Sequence, residues 1–433
     1  MTKQLISHLV RCYQELLLLE RREQRSFFYI ALSLTMLFFS YPMVRSTVTA
    51  IFLENFGAKN SPYVWVYSVV ALSLIISLYD RWQKRVGIHR LYLFTALATF
   101  CIMSLAVAMI IHGHPIFSYL LFVVKEIYIV LLVHSALAFF NASVSEERAK
   151  MLYGPLGAIG SIGGILGGLT TSFLTSHIST HYILLLGAGL ILVTGFIFSQ
   201  SSNTDHLPAE KNGGFKTKKI SQSPLGAIRG VSKYIFWIAV LVSLSQFSVG
   251  LAHFKFNLLL EQLVPNTINK TYYLGLLFSS INLFTLVVQF IVTPIAFKLF
   301  QNRTIHLALP AILIILAWGG FIVGGGLLLP VAITFITFKG VDYSIFASAK
   351  EILYFPLNKA QRYGAKYVVD MIIYRVAKGI IYFVLIFFQS PPVINLLLFC
   401  SLLLWPIAVL MLFNAKPQTT PAKMHPVPLS ADN

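Results

Sequence analysis

Eleven charged side chains lie inside otherwise apolar stretches of this 433-residue chain, and these are the residues placed to do chemistry. Seven are basic: Arg45, Lys125, Lys255, Lys339, Lys350, Arg375 and Lys378. Four are acidic: Glu126, Asp342, Glu351 and Asp370. A charge at bilayer depth is costly, so such residues face a cavity, pair with an opposite charge, or snorkel to the interface. Lys125/Glu126 and Lys339/Asp342 read as neutralising pairs that pack helices, or as parts of a site. Lys350, Glu351, Asp370 and Lys378 read as near the cytoplasmic interface, where a structural role is open to them. Setting four acids against seven bases leaves three positive charges over. An excess of cations in a cavity suits an anionic solute, whose phosphate or carboxylate is held by Arg forks and Lys point charges. Arg45 and Lys255 stand out. Each sits in the opening helix of its half with no acid within a turn, and both are expected to face one shared central cavity. The expected substrate-binding set is Arg45, Lys125, Lys255, Lys339, Lys350 and Arg375.

Other chemistry is poorly represented. No paired-carboxylate, Ser/His/Asp or zinc-ligand pattern occurs, and there is no Walker-type loop, so neither an enzyme nor a primary pump is expected and no cofactor is implied. Cys12, Cys101 and Cys400 have no metal or redox spacing. His112/His114 and His177/His181 fall in outer loops, where scattered histidines are usually solvated. Residues 154–168 read GPLGAIGSIGGILGG. No strand precedes them, which argues against a phosphate loop. Gly160/Gly164, Gly163/Gly167 and Gly164/Gly168 are small-xxx-small pairs that let another helix approach closely. They serve packing, or a rocking of the fifth span against its neighbour.

These residues need apolar helices to position them, and the chain has twelve apolar stretches of spanning length: 27–50, 62–79, 91–111, 116–141, 155–174, 182–199, 234–260, 272–297, 305–326, 329–353, 367–388 and 393–413. A spanning helix needs about 20 mostly apolar residues, because lipid offers no partner to backbone N–H and C=O groups. The composition, 57% hydrophobic and 11% charged, agrees. The fold class is an all-α polytopic membrane protein. Of 33 basic residues, 24 fall in the two terminal segments and the alternate loops on the same side, while the opposite loops hold only Lys59 and Lys270. The positive-inside rule then places both termini in the cytoplasm, for example at a bacterial inner membrane. The net charge of +18 is thus an orientation signal, and no nucleic-acid partner is expected. The partners implied are a small anionic solute and membrane lipid. No removable signal peptide is read at the N-terminus.

Residues 200–233 are the one long polar interruption, with six spans on each side. The division reads as an amphipathic cytoplasmic segment (1–26), a six-helix bundle (27–199), a cytoplasmic linker (200–233), a second six-helix bundle (234–413) and a disordered cytoplasmic tail (414–433). That is the layout of a two-half transporter of the major facilitator type. Shifting the first half by 214 positions sets Lys125 on Lys339, Arg148 on Arg362 and Tyr153 on Tyr367, as a parallel repeat requires. The loop LYDRWQKRVGIHR resembles the Asp-Arg-x-Gly-Arg-Arg signature of major facilitator loops at Asp80 and Arg81, with Ile76 where a glycine is expected.

Three stretches resemble the ATP:ADP antiporters of plastids and intracellular bacteria, the nucleotide transporter family. They are SYPMVRSTVTAIFLENFGAKNSPYVW, FFNASVSEERAKMLYGPLGAIGSIGG, and DYSIFASAKEILYFPL followed by AKYVVDMIIYRVAKG. In the last, Ala349-Lys350-Glu351, Tyr354, Pro356, Leu357, Asp370, Arg375 and Lys378 are in register with the family pattern. The resemblance covers most of the chain and implies a twelve-helix exchanger of nucleotides. Val48, Thr49, Ala142 and Gly250 stand where the family carries charged residues, so the substrate is expected to differ. The function expected is secondary-active, alternating-access transport of an anionic metabolite such as a nucleotide. A carrier of a lipid or amphipathic cargo, and a non-transporting protein that keeps the fold, are the alternatives.

Overall fold

The computed structural model describes residues 21–143, 146–201, 226 and 228–415. Twelve helical rods cross it in an up-and-down order. In the first half they are α1 (Arg21–Phe56), α2 (Ser61–Val86), α3 (Ile88–Ile111), α4 (Phe117–Ser143), α5 (Glu146–Leu174) and α6 (Thr180–Gln200). In the second they are α7 (Ser232–Leu263), α8 (Thr267–Leu299), α9 (Asn302–Val323), α10 (Leu328–Leu353), α11 (359–387) and α12 (Pro391–Asn414). Among the described residues eleven of the twelve are long and apolar enough to cross a membrane. The exception is α11, which carries Lys366, Asp370, Arg375 and Lys378 along its length. The rods run past the apolar stretches because the helices continue into the polar residues that flank them. α5 starts at Glu146, ahead of the expected 155, so Gly154 and Pro155 lie within it. α11 starts at Lys359 behind a capping box: the Asn358 side chain accepts from the Gln361 N–H, and Gln361 Oε1 accepts from the Asn358 N–H.

The packing repeats with a period of six helices. α1 lies against α4, α5 and α6 as α7 lies against α10, α11 and α12. The pairs α3–α6 and α2–α4 recur as α9–α12 and α8–α10. The two bundles meet chiefly along α5–α8, and also along α1–α8 and α2–α11. One difference breaks the symmetry: α8, α9, α10 and α11 each contain a π-helical stretch (Val288–Val292, Trp318–Val323, Asp342–Phe346 and Tyr367–Ile373). π-Turns are frequent at functional sites because they re-aim side chains.

The glycines of α5 divide between two partners. Gly160, Gly163 and Gly167 face α1 within the bundle; a Cβ at Gly167 would stand 1.9 Å from the Phe39 carbonyl oxygen. Gly164 and Gly168 face α8 in the other bundle, against Asn282, Ser279 and Gly275. At that crossing Ser279 Oγ donates to the Ile165 carbonyl (2.8 Å) and Ser172 Oγ to the Tyr272 carbonyl (2.9 Å). Close approach of backbones is what small residues permit in lipid, where no hydrophobic force drives helices together.

The half of the molecule away from the termini is tied shut between bundles. Lys270 pairs with Glu54 at 2.6 Å, and Thr180 and Thr271 bond through their hydroxyls at 3.1 Å. Glu261 Oε2 accepts from the Ala58 N–H at 2.7 Å, and the Gln389 amide donates to the Lys59 carbonyl at 2.9 Å. Gly57, beside this contact, has a φ of 76° that disfavours any side chain. The expected segment 1–26 overlaps the described residues only from Arg21, most of the 200–233 linker falls outside them, and so does the tail from residue 416.

Candidate functional site

A cavity of about 360 Å³ lies between the bundles, within the size range of small-molecule sites. α1, α2 and α4 line it from one side, and α7, α10 and α11 from the other. α1 brings Tyr41 and Arg45 one turn apart; α11 brings Asp370, Tyr374, Arg375, Lys378 and Tyr382 onto one face at helical spacing. The charges of α11 that spoil its apolar character therefore point inward, as polar residues at membrane depth must.

Four bases, Arg45, Lys339, Arg375 and Lys378, line the cavity against two acids, Glu126 and Asp370. Each acid is also engaged by a lysine outside the lining. Glu126 pairs with buried Lys125 at 3.2 Å, and Asp370 with Lys350 at 2.7 Å. Three of the bases, Arg45, Lys339 and Lys378, are held differently. The Arg45 guanidinium lies 4.1 Å from the ring centroid of Phe278 and 5.6 Å from that of Tyr41. Lys339 Nζ lies 4.6 Å from the Tyr343 ring and Lys378 Nζ 4.4 Å from the Tyr374 ring. An aromatic face attracts a cation without cancelling its charge. The cavity therefore keeps a positive field that an anion entering it would meet.

Aromatic rings close the cavity toward the tied end. Trp65 of α2 stacks on His253 of α7 (4.8 Å) and packs on Tyr382 of α11 (4.7 Å). His253 stacks in turn on Phe335 of α10 (4.9 Å). The stack crosses from one bundle to the other, so it must part if the far end opens.

The sequence profile of the Major Facilitator Superfamily matches residues 27–357. The chain belongs to the major facilitator superfamily. The fold agrees with solved transporters at low identity. A bacterial homologue of the iron transporter ferroportin, in its inward-facing state, matches with a TM-score of 0.65 and 13% identity, covering 92% of this chain and 99% of that one. The nucleoside transporter NupG matches at 0.62 and 13%, covering 89% and 98%, and a D-xylose–proton symporter at 0.63 and 13%, covering 91% and 99%. No curated protein sequence is significantly similar to the chain.

Within this major facilitator fold the residues singled out from sequence separate. Arg45, Lys339 and Arg375 line the central cavity. Lys255 does not: buried among α7, α9 and α12, it donates to the Phe321 carbonyl (2.7 Å) and to Asn395 Oδ1. The expectation that it shares a cavity with Arg45 is corrected; its ammonium turns into its own bundle, where a carbonyl and an amide oxygen satisfy it. Lys125 stands behind Glu126 over the Phe122 ring, 2% exposed. Lys350 faces a side cavity and pairs with Asp370. Lys339 and Asp342 do not form the expected pair, since Asp342 Oδ1 accepts from Ser245 Oγ (2.9 Å) and Gln246 Nε2 (3.0 Å) instead. Glu351 pairs with Lys366 near the polar end of α11. Arg81 is exposed on α2, and the side chain of Asp80 lies outside the described set, as do those of Arg148 and Tyr153. Lys378, placed near the interface by sequence, is in the cavity. Tyr41, Trp65, His253, Tyr343, Tyr374 and Tyr382 were not anticipated, because helices apolar on all sides carry no periodic signal that marks one aromatic face as the cavity wall. Among the described residues no group of three potential ligands could hold a metal ion.

Proposed function

We propose that this major facilitator protein is a secondary-active carrier of a small anionic solute, bound between the bundles and moved by alternating access. The observation that carries the reading is the charge of the cavity wall: four bases against two acids, each acid already engaged from behind by Lys125 or Lys350. The rings of Tyr41, Tyr343, Tyr374 and Tyr382 favour a solute with a planar part as well as a charge. Arg45, Lys339, Arg375 and Lys378 are its proposed ligands, with Arg able to grip a phosphate or carboxylate through two parallel N–H bonds. Both termini lie in the cytoplasm in this reading, at a bacterial inner membrane, and the closed far end is the outer one.

We also infer a kinship with the ATP:ADP antiporters, which three stretches of the sequence resemble. Gly250 supports a changed substrate. A Cβ there would meet Ile381 at 3.1 Å and Tyr382 at 3.3 Å, so the glutamate of the family pattern would collide with α11. In this reading, close packing of α7 on α11 stands where the family carries a charge. The test is uptake by proteoliposomes of a labelled panel matched in size and differing in charge: phosphorylated and carboxylated metabolites, neutral nucleosides and sugars, and amphipathic cations. Saturable uptake confined to anions supports the reading. Uptake of neutral or cationic members in their place, or of none, overturns it.

A further inference from the structure

Beside the central cavity lies a smaller one of about 180 Å³, lined by none of the four bases proposed to hold the anionic group. Its polar wall is Gln246 from α7, Asp342, Tyr343 and Lys350 from α10, and Tyr374 from α11. Tyr343 and Tyr374 line the central cavity as well, so the two spaces meet at these rings. The ion pair Lys350–Asp370 has its lysine on the side cavity and its acid on the central one. The π-helical stretch Asp342–Phe346 brings Asp342, Tyr343 and Phe346 to the same space.

The wall of this side cavity is short of donors. Asp342 is 8% exposed and accepts from two neutral groups on α7, Ser245 Oγ and Gln246 Nε2. Both bonds fall on Oδ1, and among the described residues none falls on Oδ2. Gln246 is 1% exposed. The bond from Nε2 to Asp342 fixes its amide, and its own oxygen, Oε1, has no hydrogen-bond partner. Buried amide oxygens are nearly always matched, and an unmatched one is destabilising. Two acceptors without donors, from two helices, on one cavity wall, call for a ligand that brings donors.

We propose that the side cavity is a second arm of the solute site, in which Asp342 Oδ2 and Gln246 Oε1 accept hydrogen bonds from neighbouring hydroxyl groups of the solute. This rests on the anion reading above and narrows it to anionic polyols. The two walls orient the molecule. The phosphate or carboxylate stays among Arg45, Lys339, Arg375 and Lys378, because in the side arm it would face the acceptors of Asp342 and Gln246. The hydroxylated part turns past Tyr343 and Tyr374. A hydroxyl group both donates and accepts, and the tyrosine hydroxyls and Lys350 supply donors in return. An ammonium group only donates, and it would share the cavity with Lys350. An apolar group would leave Oε1 unmatched. A site built to bond a hydroxyl rejects an analogue lacking it, because its buried polar groups are then left unpaired.

Titration calorimetry on the purified full-length protein tests the arm with four monophosphates of five carbon atoms each: ribose 5-phosphate, 2-deoxyribose 5-phosphate, n-pentyl phosphate and 5-aminopentyl phosphate. Ribose 5-phosphate should bind about tenfold to a hundredfold more tightly than n-pentyl phosphate, the range set by leaving a buried acceptor unmatched. The 2-deoxy sugar, which lacks the neighbouring pair of hydroxyls, should fall between them. That preference should shrink about tenfold in Asp342→Asn and in Gln246→Met. Gln246→Met, close to the native side chain in shape, is the second variant should Asp342→Asn fail to fold. Equal binding of ribose 5-phosphate and n-pentyl phosphate, or a preference that both variants keep, overturns the arm. So does tightest binding of 5-aminopentyl phosphate, which would assign the acceptors to an ammonium group. Those results leave the anion reading standing, because the phosphate is still bound. Binding of none of the four overturns the arm, and the uptake panel decides the anion reading separately.

Discussion

Arg45 keeps its charge because it lies against two rings, Phe278 and Tyr41, and not against an acid. A guanidinium in that setting exchanges little when an anion arrives, so the new bonds count nearly in full. Replacing Arg45 by Gln should weaken anion binding by about 1.5–3 kcal/mol, the scale of a hydrogen bond to a charged group, with insertion and abundance unchanged. Titration calorimetry on purified protein reads this. Lys255 should behave oppositely. Its ammonium already holds the Phe321 carbonyl and Asn395. Lys255→Met should leave affinity within about twofold, and should lower thermal stability by about 1–3 kcal/mol through the acceptors it orphans. A normal melting temperature with lost binding would return Lys255 to the site. Both residues share one sequence signature, an unpaired base in the opening helix of a half. The signature shows that a charge must be satisfied, and the rotation of each helix decides by what.

At the scale of the element, the glycine run of α5 was legible as a packing motif, while its division between α1 and α8 was not. Spacing of three and four residues marks close approach but not which neighbour approaches. The structure separates positions that the sequence treats alike. Gly167→Ala would place a methyl group 1.9 Å from a backbone oxygen that cannot yield. It should cost about 1–3 kcal/mol or more by overpacking, seen as a lower melting temperature. Gly157→Ala meets nothing within 4 Å and serves as the control. It should be neutral, or stabilising by up to about 1 kcal/mol through helix propensity. The helix α11 shows the opposite limit. Hydropathy marks it least clearly as a span, because the charges that weaken its apolar signal are those that line the cavity.

For the whole molecule, the twelve-helix plan and the two-bundle repeat could be read from apolar runs and from the polar gap at 200–233. The cavity could not, since it is made by six helices from both halves. The state of the carrier is likewise a property of the assembly. Its far end is held by Glu54–Lys270, Glu261–Ala58 and Thr180–Thr271, all between bundles. A disulfide between Cys replacements at Thr180 and Thr271 should lock this end and stop transport, with recovery on reduction; transport that continues in the cross-linked protein would contradict alternating access about this interface. The central claim is that an anion binds between the bundles on the charge of the cavity wall. The most direct measurement compares the dissociation constants of a transported anion and of its neutral isostere, in the wild type and in Arg45→Gln. The account predicts that the substitution weakens the anion by about tenfold to a hundredfold, the equivalent of about 1.5–3 kcal/mol, and leaves the neutral isostere unchanged. Equal losses for both solutes, or no loss for the anion, would contradict it.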